Sequence, residues 1–330
     1  MSSKLKLNNV KFTGEEDFEC LEIWWSLLHK CNYRCKYCYA YDYIRSDIKN
    51  NYYHMWKTVI KRLKLKNTPL FKLEILGGEP TLHPNFLDII EEISKLDKLH
   101  ESIYYTNLTA PIDFYLKIND LDIKKRIYGG FSYHPQYDKD GKFGNKCVEL
   151  FKNDLQFYVN VNIINEEKYH EQTANLMKQL LHEGIVFDLN LLQSTKNYEG
   201  FNMGNIPKNT IEESKKQMNI VYNFLDKFGL NDFYEKYSIK DKIKYVEKCG
   251  KEHYLNELEI RGNHLDNFYN KFYCPAWSWN VDHLGIFKNV CSGEVLDPLF
   301  RNCGKEIICP VKGGCTCNSM FKYPKRPIDG

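Results

Sequence analysis

The sequence predicts an α/β fold built on a parallel sheet, followed by a smaller cysteine-rich region. Three observations carry this. Short apolar runs alternate with segments of helical period from Leu21 to about Gln193, several of those runs are apolar on both faces, and six of the twelve cysteines fall between Cys274 and Cys317. Alternation of this kind marks repeated βα units, and a strand apolar on both faces is one that is covered on both sides.

The elements follow in order. Strands are expected at Leu21 to Leu27, Phe71 to Leu76, Ser102 to Thr106, Arg126 to Ser132, Phe157 to Ile164 and Val186 to Leu192. Amphipathic helices between them are marked by Met55, Val59 and Leu63, by Phe86, Ile90 and Ile93, and by a stretch from about Glu167 that stops at Gly184. After Ser194, polar loop residues lead into a Lys/Glu/Tyr-rich stretch, roughly Thr210 to Glu252, that reads as helical. Turn signals at Arg261-Gly262-Asn263 and His283-Leu284-Gly285 predict hairpins, the second between Trp277 to Val281 and Ile286 to Val290. These breaks divide the chain into an N-terminal extension 1–20, a core 21–195, a helical connecting segment 196–256 and a cysteine-rich domain 257–330.

Composition excludes several classes. With 330 residues, 43% of them hydrophobic, the chain has ample core for a globular α/β protein. Its 46 basic and 43 acidic side chains leave a net charge of +3, which gives no ground for nucleic acid or an anionic membrane as partner. The longest apolar stretches, such as Ile23 to Leu28, are strand-sized, so no bilayer span is expected. No apolar signal segment precedes the charged start Met1 to Lys11, so the cysteines point to metal-bound thiolates in a reducing cytoplasm and not to a disulfide scaffold.

The most informative run is Cys31-Asn32-Tyr33-Arg34-Cys35-Lys36-Tyr37-Cys38, directly after the first strand. Three thiolates on one short loop can hold three irons of a cubane cluster and leave the fourth iron open, whereas a structural zinc takes four protein ligands. Placed at the C-terminal end of a parallel strand, the loop lies where α/β folds put their active sites. A second motif, Gly77-Gly78-Glu79-Pro80, follows the second strand and faces the same rim. Two glycines let backbone approach a ligand closely, and a carboxylate there can bind an ammonium group.

Together the two motifs resemble those of the radical S-adenosylmethionine (SAM) enzymes, over roughly Leu21 to Leu192. The resemblance implies a partial (β/α)6 barrel of TIM type with the catalytic cluster at its C-terminal rim. It implies that Cys31, Cys35 and Cys38 bind a [4Fe-4S] cluster whose open iron chelates SAM, that Tyr37 lies near adenine, and that Gly77, Gly78, Glu79 and Pro80 contact the methionine end. The reaction implied is one-electron cleavage of the sulfonium to methionine and a 5′-deoxyadenosyl radical, which abstracts hydrogen from a substrate. Polar residues at later strand ends, Asn107, Ser132 and Asn162, are further candidates for holding SAM, with Asn160 beside them and His134 as a substrate contact or loop cap. An external electron donor of flavodoxin or ferredoxin type is required.

The C-terminal cysteines resemble the cysteine-rich SPASM and twitch extensions, which hold auxiliary [4Fe-4S] clusters. The spacing departs from theirs: five residues separate Gly285 from Cys291, and Cys315-Thr316-Cys317 replaces a two-residue gap. One auxiliary cluster is expected, on Cys274, Cys291 and two of Cys309, Cys315 and Cys317, with Cys303 a bystander and the small domain α+β. A structural zinc would satisfy the same thiols. Cys20, Cys147 and Cys249 remain; Cys249 is the candidate for a thiol that returns a hydrogen atom to a substrate radical.

The extension favours a ribosomally made peptide as substrate. Only about twenty residues precede the first strand, so no leader-binding domain is expected there and a separate peptide-recognition protein is needed. A small-molecule dehydrogenase or epimerase acting on a sugar or cofactor precursor, and a non-catalytic Fe–S scaffold or electron carrier, are the alternatives.

Overall fold

The computed structural model of the chain describes residues 10–12, 20–35, 37–38, 52–121, 126–164, 166–191, 210–231, 243–247, 252–255, 272–275, 277–290, 292–298, 300–308 and 326–327. A short β1 (Val10–Phe12) comes first. Six strands then lie side by side in chain order: β2 (Leu21–Leu28), β3 (Phe71–Gly77), β4 (Leu99–Thr106), β5 (Arg126–Tyr133), β6 (Phe157–Ile163) and β7 (Phe187–Leu191). All five neighbouring pairs are parallel. Parallel neighbours need a crossover, and each gap carries one helix: α1 (Trp56–Leu63), α2 (Phe86–Ser94), α3 (Ile112–Asn119), α4 (Lys142–Lys152) and α5 (His170–Glu183).

The helices pack because their apolar residues recur at three and four. On α2, Phe86, Ile89, Ile90 and Ile93 are buried, and on α5 Thr173, Ala174, Met177 and Leu180 are. Gly184 ends α5 with φ +73, its N–H reaching the Leu181 carbonyl, as the sequence predicts. Aromatic rings fill the layer between helices and sheet. Tyr104 meets Phe86 at 5.6 Å between centroids, Phe131 meets Tyr115 at 5.7 Å, and Tyr133 meets Phe143 at 5.2 Å.

The opposite face of the sheet is polar. Lys72 pairs with Glu101 at 2.8 Å, and the Tyr158 hydroxyl donates to the Tyr105 hydroxyl at 2.9 Å, across β5. Gly130 lies between those two rings in register. A Cβ there would stand 2.7 Å from the Tyr105 ring, so only glycine lets them meet.

The hairpin expected around His283 forms as β11 (Ser278–Val281) and β12 (Phe287–Asn289), on the edge of the main sheet. β11 pairs parallel with β2, extending the main sheet to the order β12-β11-β2-β3-β4-β5-β6-β7. Trp279, Val281 and Phe287 share one core with Ile23 and Trp25. An apolar β2 needs cover along its edge, and this segment supplies it.

The helical stretch expected over Thr210 to Glu252 also changes. α6 (Thr210–Phe228) stops at Gly229, φ +65, and β8 (Ile243–Glu247) and β9 (Glu252–Leu255) follow as an antiparallel pair joined by β1. Ile243, Tyr245 and Val246 are β-branched or aromatic, and a glycine follows at Gly250, so the local composition fits a hairpin better than a helix. A third sheet holds β10 (Phe272–Pro275), with β13 (Glu306–Ile308) and β14 (Arg326–Pro327) on its two sides. Among the described residues, no helix is long and apolar enough to cross a membrane.

Candidate active site

The two sequence motifs meet at the C-terminal ends of β2 and β3. Gly78 N–H donates to the Leu28 carbonyl at 2.6 Å and Glu79 N–H to the Lys30 carbonyl at 2.8 Å, so the second motif continues the β2–β3 pairing into the cysteine loop. The glycines are required by that contact. A Cβ on Gly77, whose φ is +149, would lie 2.3 Å from the Leu28 carbonyl oxygen, and one on Gly78 would lie 2.3 Å from that of Lys30.

Glu79 points inward. Its carboxylate accepts from the Asn107 N–H at 2.7 Å, the Thr106 hydroxyl at 2.7 Å, the Thr81 hydroxyl at 2.6 Å and the Thr81 N–H at 3.2 Å. Burial pushes its pKa up while these donors pull the other way. The carboxylate expected from sequence as an ammonium ligand ties the β3 and β4 ends together. Pro80, also buried, opens the turn that brings Thr81 round.

The network continues into the cysteine loop. Asn107 Nδ2 donates to Asn32 Oδ1 at 2.8 Å, Asn107 Oδ1 accepts from the Thr109 hydroxyl at 2.7 Å, and Asn32 Nδ2 donates to that hydroxyl at 2.7 Å. Asn107 is therefore a brace for the loop. Asn162 has a similar part, donating to the Tyr133 carbonyl at 2.6 Å. Ser132 is half-buried on the polar face beside Asn160.

Aromatic rings hold the other flank of the loop against the end of β5. Tyr33 stacks on Tyr137 at 3.9 Å, and the Tyr137 hydroxyl accepts from Arg34 N–H at 2.7 Å. Tyr37 turns toward His134, whose Nδ1 lies 2.7 Å from its hydroxyl and 3.7 Å from Cys35 Sγ. Burial pushes the Cys35 thiol up to about 12 and raises Cys31, and it lowers His134 to about 4. The Cys31 sulfur accepts from Tyr33 N–H at 3.3 Å, and Cys38 N–H closes a turn on the Cys35 carbonyl at 3.1 Å.

This loop presents three thiols on one turn. Among the described residues no three His, Cys, Asp or Glu side chains converge on a single ion. A cubane asks for something different, one thiolate for each of three iron corners, and the donor set suits it. Cys249, Cys291, Cys309, Cys315 and Cys317 lie outside the described residues, as does the side chain of Cys274 in β10. Cys20 and Cys147 are buried, and Cys303 packs partly buried beside the core. Sequence reasoning missed Asn32, Thr106, Thr109 and Tyr137. Their position at or just after strand ends was the available signal.

Residues 25–174 match the family model described as the Radical SAM superfamily. The GTP 3′,8-cyclase of Haemophilus ducreyi is 37% identical over 84 residues, 25% of this chain and 24% of that one. That of Mannheimia succiniciproducens is 22% identical over 255 residues, 75% of this chain and 65% of the relative. The matches thus span from about a quarter to just under two thirds of these relatives. The solved structure of histidine-tagged anSMEcpe with bound AdoMet shares the fold at a TM-score of 0.51, with 13% identity, over 86% of this chain and 77% of that one.

Proposed function

We propose that the chain, whose residues 25–174 match the Radical SAM superfamily model, is an enzyme of that family cleaving SAM to a 5′-deoxyadenosyl radical that abstracts hydrogen from a peptide. The observation that carries this is the joining of the cysteine loop to Gly77-Gly78-Glu79-Pro80 through the Gly78 and Glu79 backbone bonds. One rim then offers thiols and open backbone together. Cys31, Cys35 and Cys38 hold a [4Fe-4S] cluster, which when bound supplies the electron for sulfonium cleavage.

The chain's own residues do the positioning. The Gly77-Gly78 backbone receives the methionine end of SAM, with the Ser132 hydroxyl completing the pocket. Glu79, Pro80, Asn107 and Asn162 keep the strand ends in place, and Tyr37 walls the site on the His134 side. We read the six βα units as a partial (β/α)6 barrel with its polar face inward, the core 21–195 joined through 196–256 to the cysteine-rich region 257–330. Cys274, Cys291 and two of Cys309, Cys315 and Cys317 hold one auxiliary cluster, and a ferredoxin- or flavodoxin-type protein supplies electrons. The cysteine-rich extension and the Tyr/Lys-rich surface support a peptide, presented by a separate recognition protein, in a cytoplasmic setting. Cys249 is the candidate hydrogen donor.

A small-molecule substrate is the second reading, favoured by the GTP 3′,8-cyclase relatives. Anaerobic incubation of reconstituted protein with SAM and a strong reductant tests both. 5′-Deoxyadenosine stimulated by a peptide pool supports the first, stimulation by small metabolites alone supports the second, and no 5′-deoxyadenosine with any substrate source removes the enzyme reading.

A further inference from the structure

His134 directly follows β5 and meets the cysteine loop through two atoms at once. Its Nδ1 lies 2.7 Å from the Tyr37 hydroxyl and 3.7 Å from Cys35 Sγ, while the Tyr37 hydroxyl lies 3.0 Å from Gln136 Oε1. The proton positions follow from what each group can do. A carbonyl oxygen only accepts, so the Tyr37 proton goes to Gln136; the Tyr37 oxygen then accepts from Nδ1, which must carry a proton. That N–H stands between a phenol oxygen and a sulfur. The Tyr37 ring lies nearly parallel to the imidazole, 11° apart at 5.9 Å, and Tyr33 meets it edge-on at 5.7 Å, so the ring is fixed on both sides.

We propose that His134 is a positioning residue for the catalytic cluster, sharing its Nδ1–H between the Tyr37 oxygen and the Cys35 sulfur and thereby raising the cluster's reduction potential. The proposal rests on the assignment of Cys35 as a cluster ligand made above. A hydrogen bond to a ligating sulfur withdraws electron density from it and favours the reduced cluster, one of the main means by which a protein sets an iron–sulfur potential. Through Tyr37 the same ring holds the turn that follows Cys35.

The test uses reconstituted full-length protein. In wild type labelled with 15N-histidine, pulsed electron paramagnetic resonance of the reduced cluster should show coupling to one histidine nitrogen, and that coupling should vanish in His134→Asn. In potentiometric titration His134→Leu should shift to a more negative midpoint, while His134→Asn, whose amide N–H replaces Nδ1–H, should stay near wild type. Absence of the nitrogen coupling in loaded wild type, or an unchanged midpoint in a loaded His134→Leu, overturns the proposal. If His134→Leu takes up no iron, the labelled wild type decides alone. A wild type that itself assembles no cluster refutes the assignment of Cys35 instead.

Discussion

Gly78 shows how a single residue governs the site. Its missing side chain lets the β3 end run against the Lys30 carbonyl, and the nearest atoms to an added Cβ are backbone at 2.3 and 2.5 Å and Cys31 Cβ at 2.9 Å. None of these is the end of a flexible side chain, so Gly78→Ala must displace the cysteine loop, at about 1–3 kcal/mol of overpacking. Iron and sulfide content after reconstitution should fall well below wild type; full loading would show that the loop does not depend on this contact. Glu79 works at the same scale through polar satisfaction. Replacing it with Ala leaves Asn107 N–H and two threonine hydroxyls without their acceptor in a buried setting, a loss of about 3 kcal/mol in urea unfolding.

At the scale of an element, α2 starts in an unusual way. Its N-cap residue Asn85 does not cap; its side chain bonds Asp88 instead, and its own N–H donates to Nδ1 of buried His83 at 3.1 Å. An accepting Nδ1 must be unprotonated, and burial lowers the His83 pKa below its ordinary 6.5. A depressed folded pKa means the unfolded chain takes up the proton first. The stabilisation is therefore complete above about pH 6.5 and is lost as pH falls through the folded value, with a limiting slope of about 1.4 kcal/mol per pH unit. Urea midpoints measured at pH 7.5 and 5.5 should show this loss in wild type and a flatter profile in His83→Asn, which keeps an acceptor but cannot titrate. Equal slopes in the two proteins would remove His83 as the cause.

For the whole molecule, the decisive join is between the start and end of the chain. β11 seals the edge of β2, and Arg62 on α1 reaches over it, donating to the Leu296 carbonyl at 2.6 Å and the Asp297 carbonyl at 3.3 Å while its guanidinium lies 4.6 Å over the Phe287 ring. Arg62→Met keeps the stem and removes the head, taking the guanidinium from the Leu296 carbonyl and from the Phe287 ring while the Asp297 carbonyl keeps the Phe300 N–H, for a loss of about 2 kcal/mol. If residues 278–300 belong to the same cooperative unit as the core, one unfolding transition should shift as a whole. A second, separate transition that alone responds would show an independently folding C-terminal unit.

The sequence by itself determined the six βα units, the hairpin around His283 and the two motifs that follow the first two strands. Each of these is written within a few neighbouring residues, as a period, a turn or a spacing. Tertiary structure alone decided what those residues touch. That Gly77 and Gly78 face Leu28 and Lys30, that Glu79 turns inward to Thr106 and Asn107, and that Trp279 and Phe287 enter the core beside Ile23 are contacts between distant parts of the chain. Residues 243–255 make the same point, since β8 and β9 form with β1 from the other end of the sequence. Local pattern names the chemistry a residue can do; close packing and the need of every buried polar group for a partner choose which of those chemistries it performs.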